Sequence, residues 1–245
     1  RAIAGAITSI MCGNAYLMSA KLAAIKGSFS GYELNKEPML RVMRKHGLAA
    51  ENLVNVFDSF NSASFANPNY KFFGQENLIK EAVNVWHEVL DFGQKYGYRN
   101  SQATVLAPTG TIAFLMDCDT TGVEPELALI KYKKLVGGGT LKLVNNQVPP
   151  ALKKLGYDDQ QISDISAYVL EKETIEGAPY LKNEHLSIFD CSFKATNGTR
   201  SISYMGHIKM MGAVQPFISG AISKTVNLPS NATKKDIYDA FIQSW

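Results

Sequence analysis

The chain is poor in cysteine, carries little net charge and lacks an apolar run that predicts a membrane span. Its three cysteines, Cys12, Cys118 and Cys191, are far apart and form no C-x-x-C pair, which argues against a disulfide framework or a zinc site. The formal net charge of +3 is too small to indicate a nucleic-acid or membrane partner. No signal-peptide pattern opens the chain. We therefore expect a cytoplasmic protein in a reducing compartment.

The composition is that of a globular protein. Of the 245 residues, 46% are hydrophobic and 19% are charged, which is enough to bury a substantial core. The chain enters an apolar helical period at once, and its last predicted helix stops at Trp245 on the apolar face. We expect residues 1–245 to form a single segment of a longer protein, truncated at both ends.

Apolar periodicity predicts the secondary structure. Helical spacing predicts helices over 2–26, 37–45, 49–60, 75–96, 149–155, 158–171, 201–214 and 235–245, the last with Asn231 or Thr233 as its N-cap. Short apolar runs predict strands over 103–107, 127–136, 140–144 and 219–228, and residues 111–116 fit a strand or a helix start. Loops are predicted over 28–36 and 62–74. Helices alternating with single strands predict an α/β fold built on a mainly parallel sheet or barrel.

The turn Pro108-Thr109-Gly110-Thr111, which follows an apolar run, is the strongest local signal of a binding site. Successive backbone N–H groups and hydroxyls can converge on an anion such as a phosphate, and glycine lets the backbone come close to it. The alternative is an ordinary connection in which Thr109 only caps the next element. The turn alone does not decide between the two.

Longer segments resemble one family. They are RAIAGAITSIMCGNAY at 1–16, EPMLRVMRKHG at 37–47, APTGTIAFLMDCDTTGVEPELALIKYKKLVGGG at 107–139 and HIKMMGAVQPFISGAISKTVNLP at 207–229. In this order they resemble the adenosylcobalamin-dependent (class II) ribonucleotide reductases of bacteria. The resemblance covers essentially the whole chain. It implies the C-terminal half of the ten-stranded α/β barrel of that family, with a finger loop through the barrel centre.

The resemblance also implies a reaction and a role for the turn. Pro108, Thr109, Gly110, Thr111 and Ile112 match the segment that holds the substrate phosphates in the family. The implied reaction is radical reduction of ribonucleoside diphosphates, with adenosylcobalamin as cofactor and a thioredoxin-type dithiol as reductant. The radical cysteine lies on the finger loop, with a glutamate and an asparagine beside it. That motif is missing here, so we expect no catalytic residue in this segment and its radical cysteine upstream.

Other candidate residues each have a structural interpretation. Cys118 and Glu124 could approach the substrate pocket, but a buried structural thiol and a loop constraint are favoured for them. Asp117, Asp119 and Glu124 could suggest magnesium, but acids around a turn are more often turn-formers and caps. His207 is interpreted as a satisfied structural histidine, since no histidine has a metal-ligand partner at the right spacing. We therefore predict no metal site.

Two alternative functions stay open at this point. The chain could be a non-catalytic barrel piece that acts only with a separately encoded partner. It could also be a phosphate-binding α/β barrel of unrelated chemistry. The four segments in matching order favour the reductase.

Overall fold

The structure, a computed structural model, describes residues 1–56, 75–134 and 137–245. They belong to two compact units. The helical unit comprises Arg1–Ala107 and Lys209–Ser223, and the mixed unit comprises Pro108–Ile208 and Lys224–Trp245. Of the predicted helix 49–60, residues 49–51 and 53–56 are helical, the first three as the end of a longer helix. Residues 57–60 and the whole predicted loop 62–74 lie outside the described residues.

Most predicted helices are present close to their expected bounds. The helices are α1 Ala2–Lys26, α2 Tyr32–Glu51, α3 Gln75–Tyr96, α4 Gly110–Leu115, α5 Val148–Lys154, α6 Asp159–Lys172, α7 Tyr204–Val214 and α8 Lys234–Ser244. Two 3₁₀ helices cover Asn183–Phe189 and Gln215–Phe217, and two strands, β1 Ile130–Lys134 and β2 Thr140–Val144, form a hairpin. Residues 111–116 are therefore mainly helical, and Thr233 is the N-cap of α8.

The core of the helical unit lies between α1, α2 and α3. Trp86 on α3 is fully buried, and its indole Nε1–H donates to Ser9 Oγ on α1 at 3.1 Å. Gly13 lets α1 and α3 approach closely, because a Cβ there would lie 2.5 Å from a methyl carbon of Val85. Tyr16 and Tyr98 are also fully buried and meet edge to face, with ring centroids 5.9 Å apart.

Helix α1 is apolar on more than its core face. By length and composition it could cross a membrane, which corrects the expectation that no run is long enough, but 56% of its most apolar window is buried in the fold. That burial is typical of a core helix in a soluble protein. Its opposite face leaves Ile7, Met18 and Ile25 exposed by 54%, 56% and 81%.

Helix α2 begins earlier than the sequence predicts. A loop over 28–36 and a helix over 37–45 were expected, but α2 starts at Tyr32 and contains Pro38. Tyr32 is buried, its ring packs edge to face on Tyr98 with centroids 6.4 Å apart, and its hydroxyl donates to Gly93 O at 3.4 Å. Tertiary packing therefore fixes the first turn. Proline removes one helical hydrogen bond, and the carbonyl left free belongs to Leu34, which is 90% exposed and open to water.

Two of the predicted strands meet in the helical unit as a single parallel bridge. Leu106 pairs with Ile222, since its N–H donates to Ala221 O at 3.0 Å and its carbonyl accepts from Ser223 N–H at 2.8 Å. Among the described residues this bridge is isolated and does not continue into a regular strand. Together with the antiparallel hairpin, this is less regular strand than the predicted C-terminal half of a ten-stranded α/β barrel, so the described residues do not confirm the α/β character.

The mixed unit has a smaller core beneath the β1–β2 hairpin. The hairpin pairs Ile130 with Val144 and Lys134 with Thr140 in antiparallel register. Helices α5 and α6 pack on each other, and α6 packs on β2. The core residues include Leu152, Ile165 and Val169, all fully buried. Gly137 and Gly138 lie in the connection between the two strands and have positive φ.

Candidate functional site

The turn Pro108–Ile112 leads into the short helix α4 of the mixed unit. Thr109 has φ 53° and ψ 24°, in the left-handed region that β-branched residues rarely adopt, and α4 starts at the next residue. Such a conformation costs of order 1–3 kcal/mol and is concentrated at binding and active sites. The strain therefore marks the same turn that the sequence singles out.

Backbone donors at this turn are free. In the described part of the chain, the N–H groups of Gly110, Thr111 and Ile112 have no backbone acceptor, whereas Ala113 N–H already donates to Thr109 O at 2.8 Å. A Cβ built on Gly110 would meet no atom within 4 Å, so the space beside it is open. Gly110, Thr111 and Ile112 are also solvent-exposed. The turn can thus present consecutive N–H groups to a bound anion.

The Thr109 side chain is held in place by a second turn, Thr120–Glu124. Its Oγ1 accepts a hydrogen bond from Gly122 N–H at 2.7 Å. A hydroxyl has one O–H donor and two acceptor lone pairs, so this bond leaves the Thr109 O–H free to donate. Thr109 can therefore add a side-chain donor to the backbone donors that follow it.

Glu124 lies at the end of that second turn and is paired. Its N–H donates to Thr121 O at 3.0 Å, and its carboxylate accepts from Lys224 Nζ and, at 2.7 Å, from Thr225 N–H. The carboxylate is engaged within the protein, which agrees with the loop constraint favoured from the sequence. Its predicted approach to a substrate pocket stays untested.

The residues between the two turns correct one expectation. The favoured interpretation of Cys118 was a buried structural thiol, but Cys118 is exposed, because it follows the end of α4 where the neighbouring side chains also face solvent. Asp119 accepts from Lys131 Nζ at 3.2 Å and from Gln147 Nε2 at 3.0 Å. Within the described ranges no three His, Cys, Asp or Glu side chains are grouped to hold a metal ion.

Lys224, whose side chain is only 2% exposed, was not predicted from the sequence. Its Nζ contacts Glu124, His207 Nδ1 at 2.9 Å and Thr225 O at 2.6 Å. An ammonium has only donors, so Nδ1 of His207 must be the acceptor and Nε2 carries the proton. That Nε2 is buried without a partner in the described structure, so His207 is only half satisfied. Burial, and then the Lys224 charge, lower the pKa of His207.

The other two thiols are buried. Cys12 is fully buried in the helical unit, with Sγ 3.0 Å from Thr104 Oγ1, and burial raises its pKa. Cys191 is buried in the mixed unit, and burial followed by the charges of Glu126 and Asp190 raises its pKa to about 12. Neither thiol ionises readily near neutral pH.

Two grooves lie near Cys191 in the mixed unit. Both are lined in part by Leu129, Phe189, Asp190 and Cys191. Neither groove is lined by residues 108–112. We assign none of the described residues to the implied cofactor, adenosylcobalamin.

Comparison with known proteins identifies the family. The barrel-domain model of ribonucleotide reductase matches residues 1–245, the whole chain. The chain therefore belongs to the ribonucleotide reductase family and corresponds to part of its barrel domain.

The names of curated relatives indicate which class of ribonucleotide reductase the chain is similar to. The chain is 51% identical over 245 residues to a vitamin B12-dependent ribonucleotide reductase of Rhodopirellula baltica and 49% identical to one of Streptomyces coelicolor. It is fully covered in both comparisons and spans 22% and 23% of their lengths. It is also 32% identical over 148 residues, 60% of the chain and 20% of the relative, to a vitamin B12-dependent ribonucleoside-diphosphate reductase of Mycobacterium tuberculosis.

Proposed function

We propose that the chain is one barrel segment of an adenosylcobalamin-dependent ribonucleotide reductase, which reduces ribonucleotides to deoxyribonucleotides for DNA synthesis. The full-chain family match and the names of the two most similar relatives reported above support this function. When bound, the cofactor supplies the radical that starts the reaction. The radical cysteine and its glutamate and asparagine belong to a part of the polypeptide outside residues 1–245.

The segment's own contribution is to bind the substrate phosphate at Pro108–Ile112. The observation that carries this role is the set of free donors at one strained turn, namely three backbone N–H groups and the Thr109 hydroxyl. Neutral donors can satisfy phosphate oxygens without a fixed lysine. Phosphate held there would keep the ribose in one orientation, which lowers the entropic cost of the radical step.

The substrate is a ribonucleoside diphosphate, and the reductant is a thioredoxin-type dithiol in the cytoplasm. The diphosphate is supported by the name of the mycobacterial relative. The rest of the same polypeptide is the main partner. Ile112, Phe114, Leu115 and Met116 support this, because they are 62–82% exposed and form an apolar surface that a larger barrel would cover.

Thr109→Val in the intact reductase tests the phosphate role. The substitution keeps the branched shape and removes the hydroxyl, so KM for a ribonucleoside diphosphate should rise about tenfold or more while kcat changes little. Thr109→Ser should retain most of the affinity. Thr140→Val, on the exposed end of β2, is the matched control. An unchanged KM in Thr109→Val, with diphosphate and triphosphate substrates alike, would refute the phosphate role.

The isolated chain should not turn over. Supplied with adenosylcobalamin, a dithiol and a ribonucleoside diphosphate, residues 1–245 should form no deoxyribonucleotide. Product formation by this chain alone would contradict the placement of the radical cysteine outside it. Recovery of activity on adding a separately encoded chain would instead support the partner alternative.

A further inference from the structure

We infer that Lys224 and Glu124 are positioning residues for the Thr109 hydroxyl, through the turn Thr120–Glu124. This inference rests on the proposed role of Pro108–Ile112 in phosphate binding. It assigns to a buried ion pair the task of holding one donor of that turn in its binding orientation.

All three N–H donors of Lys224 have an acceptor within the protein. An ammonium has three N–H donors, and Lys224 Nζ has three acceptors, the Glu124 carboxylate, His207 Nδ1 and Thr225 O. No donor remains for a phosphate oxygen. Lys224 therefore does not act as a direct phosphate ligand, although a lysine in a nucleotide-binding protein invites that interpretation.

The ion pair fixes the position of the Glu124 side chain as well as neutralising its charge. The Lys224 side chain is 2% exposed and that of Glu124 is 20% exposed, so neither charge is well hydrated. The Glu124 carboxylate is bonded on both oxygens, since Oε2 accepts from Lys224 and Oε1 from Thr225 N–H. Residues 224–225 thus hold the side chain of a residue one hundred positions earlier.

The turn Thr120–Glu124 connects Glu124 to Thr109. Glu124 N–H donates to Thr121 O at 3.0 Å, which closes the turn that contains Gly122. Gly122 has φ 54°, a conformation that glycine adopts without strain, and its N–H donates to Thr109 Oγ1 at 2.7 Å. That bond occupies a lone pair of the hydroxyl and orients its O–H. Loss of the Lys224–Glu124 pair should therefore free the turn and, with it, the Thr109 hydroxyl.

His207 supports the lysine in the same arrangement. It accepts from Lys224 only while its Nδ1 is unprotonated, so the neutral ring is the form that holds the ammonium in place. The lowered pKa of His207, caused first by burial and then by Lys224, keeps the ring neutral.

The test uses Lys224→Met, Thr109→Val and their combination in the intact reductase, with Lys142→Met as the matched control. Lys142, whose side chain is 28% exposed, also pairs with a glutamate, at 2.7 Å to Glu173, but no described hydrogen bond connects it to the turn. Hydrogen exchange of the peptide spanning 117–127 reports the turn. KM and kcat for a ribonucleoside diphosphate report the site.

Lys224→Met should speed exchange in that peptide and raise KM roughly tenfold, with a smaller change in kcat. The double variant should have the KM of Thr109→Val alone, because both substitutions remove the same oriented donor. Lys142→Met should leave exchange in the peptide and KM unchanged. If Lys224→Met folds poorly, Glu124→Gln keeps the shape and should show the same pattern more weakly.

The outcomes separate the two proposals. If the fold increases in KM caused by Lys224→Met and Thr109→Val multiply in the double variant, the inference is overturned, because Lys224 would then act independently of Thr109. Unchanged exchange in Lys224→Met would overturn it as well, because the pair would not hold the turn. If Thr109→Val binds substrate normally while Lys224→Met still loosens the turn, the phosphate role fails and the structural connection stands.

Discussion

The two units of this chain bury polar groups in different ways. In the described part of the helical unit, His87–Glu51 is the only ion pair, and the core between α1, α2 and α3 is built from aromatic and aliphatic side chains. The mixed unit contains the remaining ion pairs, among them Lys224–Glu124 and Arg200–Asp190. The unit that carries the strained turn thus combines an apolar core with nearly all of the described ion pairs, whereas packing dominates the other.

Two buried histidines show the contrast in detail. His46 Nδ1 lies 2.5 Å from Pro216 O, and a carbonyl only accepts, so Nδ1 carries the proton. In His207 the ring has the opposite tautomer, because Nδ1 accepts from Lys224. His46 stacks on Trp86 at 5.1 Å within an aromatic core, while His207 completes a charged network. The same residue type serves packing in one unit and electrostatics in the other.

The largest expected effect comes from the aromatic core. Trp86→Ala should lower the free energy of unfolding of the helical unit by about 3–5 kcal/mol, because a fully buried ring is lost and a cavity remains. Phe114→Ala, which removes a ring that is 82% exposed, should cost less than about 0.5 kcal/mol. Urea unfolding followed by far-UV circular dichroism measures both. Similar losses for the two variants would show that packing does not distinguish the units.

Close helix packing gives the next effect. Gly93→Ala would place a Cβ 1.9 Å from the hydroxyl oxygen of the fully buried Tyr98, so the core must shift and about 1–3 kcal/mol should be lost. Gly47→Ala is the matched control within a helix. Its Cβ would meet the flexible end of Leu90 at 3.3 Å, and alanine favours the helix by up to about 1 kcal/mol.

Urea midpoints of these two glycine variants give the comparison. A Gly93→Ala protein as stable as Gly47→Ala would mean that Tyr98 can move without loss of packing. Retained fluorescence of Trp86 at low urea would show that each variant keeps the native core before it unfolds.

Local signals in the sequence were enough for much of the helical unit. The period of α3 and the glycine after Lys26 predicted helix bounds that the structure confirms. Pro38 misled the prediction of α2, because the buried Tyr32 stabilises a turn that proline statistics disfavour. In that unit the errors are local, since tertiary contacts outweighed a single residue's preference.

The site could be predicted only in part. The turn at 108–112 was found from its composition and from the family resemblance, but Lys224 was missed. Its partner Glu124 is one hundred residues away, and no periodicity indicates that the two side chains meet. The exposure of Cys118 was also missed, because burial depends on which side of a short helix the rest of the chain covers.

Helix capping gives a smaller effect in the mixed unit. Asp158 caps α6, because its carboxylate accepts from Gln161 N–H at 2.8 Å. In the reverse direction, Gln161 Oε1 accepts from Asp158 N–H at 3.2 Å. Asp158→Ala should lower stability by about 1 kcal/mol. Asp159→Ala removes the neighbouring carboxylate, which is 90% exposed and forms only a loose pair with Lys153, and should cost less than about 0.5 kcal/mol. Equal losses would mean that charge near the helix start, not the cap, is what stabilises α6.

The smallest effect is a pH dependence that the buried His46 and His207 should both show. Burial lowers the pKa of each, so below the usual histidine pKa of about 6.5 the unfolded state binds more protons than the folded state. Stability should therefore be full above that pH and decline as the pH falls, by at most about 0.7 kcal/mol per histidine between pH 7 and pH 6. Urea unfolding at the two pH values measures the loss.

The two histidines should nevertheless respond differently at the site. Protonation of His207 removes the acceptor for Lys224, so acid should also speed hydrogen exchange in the peptide spanning 117–127. His207→Asn, whose Oδ1 keeps an acceptor that does not titrate, should leave that exchange slow at both pH values. His46→Asn should reduce the pH dependence of the helical unit and leave exchange in that peptide unchanged. Acid-induced loosening of the peptide that persists in His207→Asn would locate the titrating group elsewhere, and the electrostatic role of His207 would then be wrong.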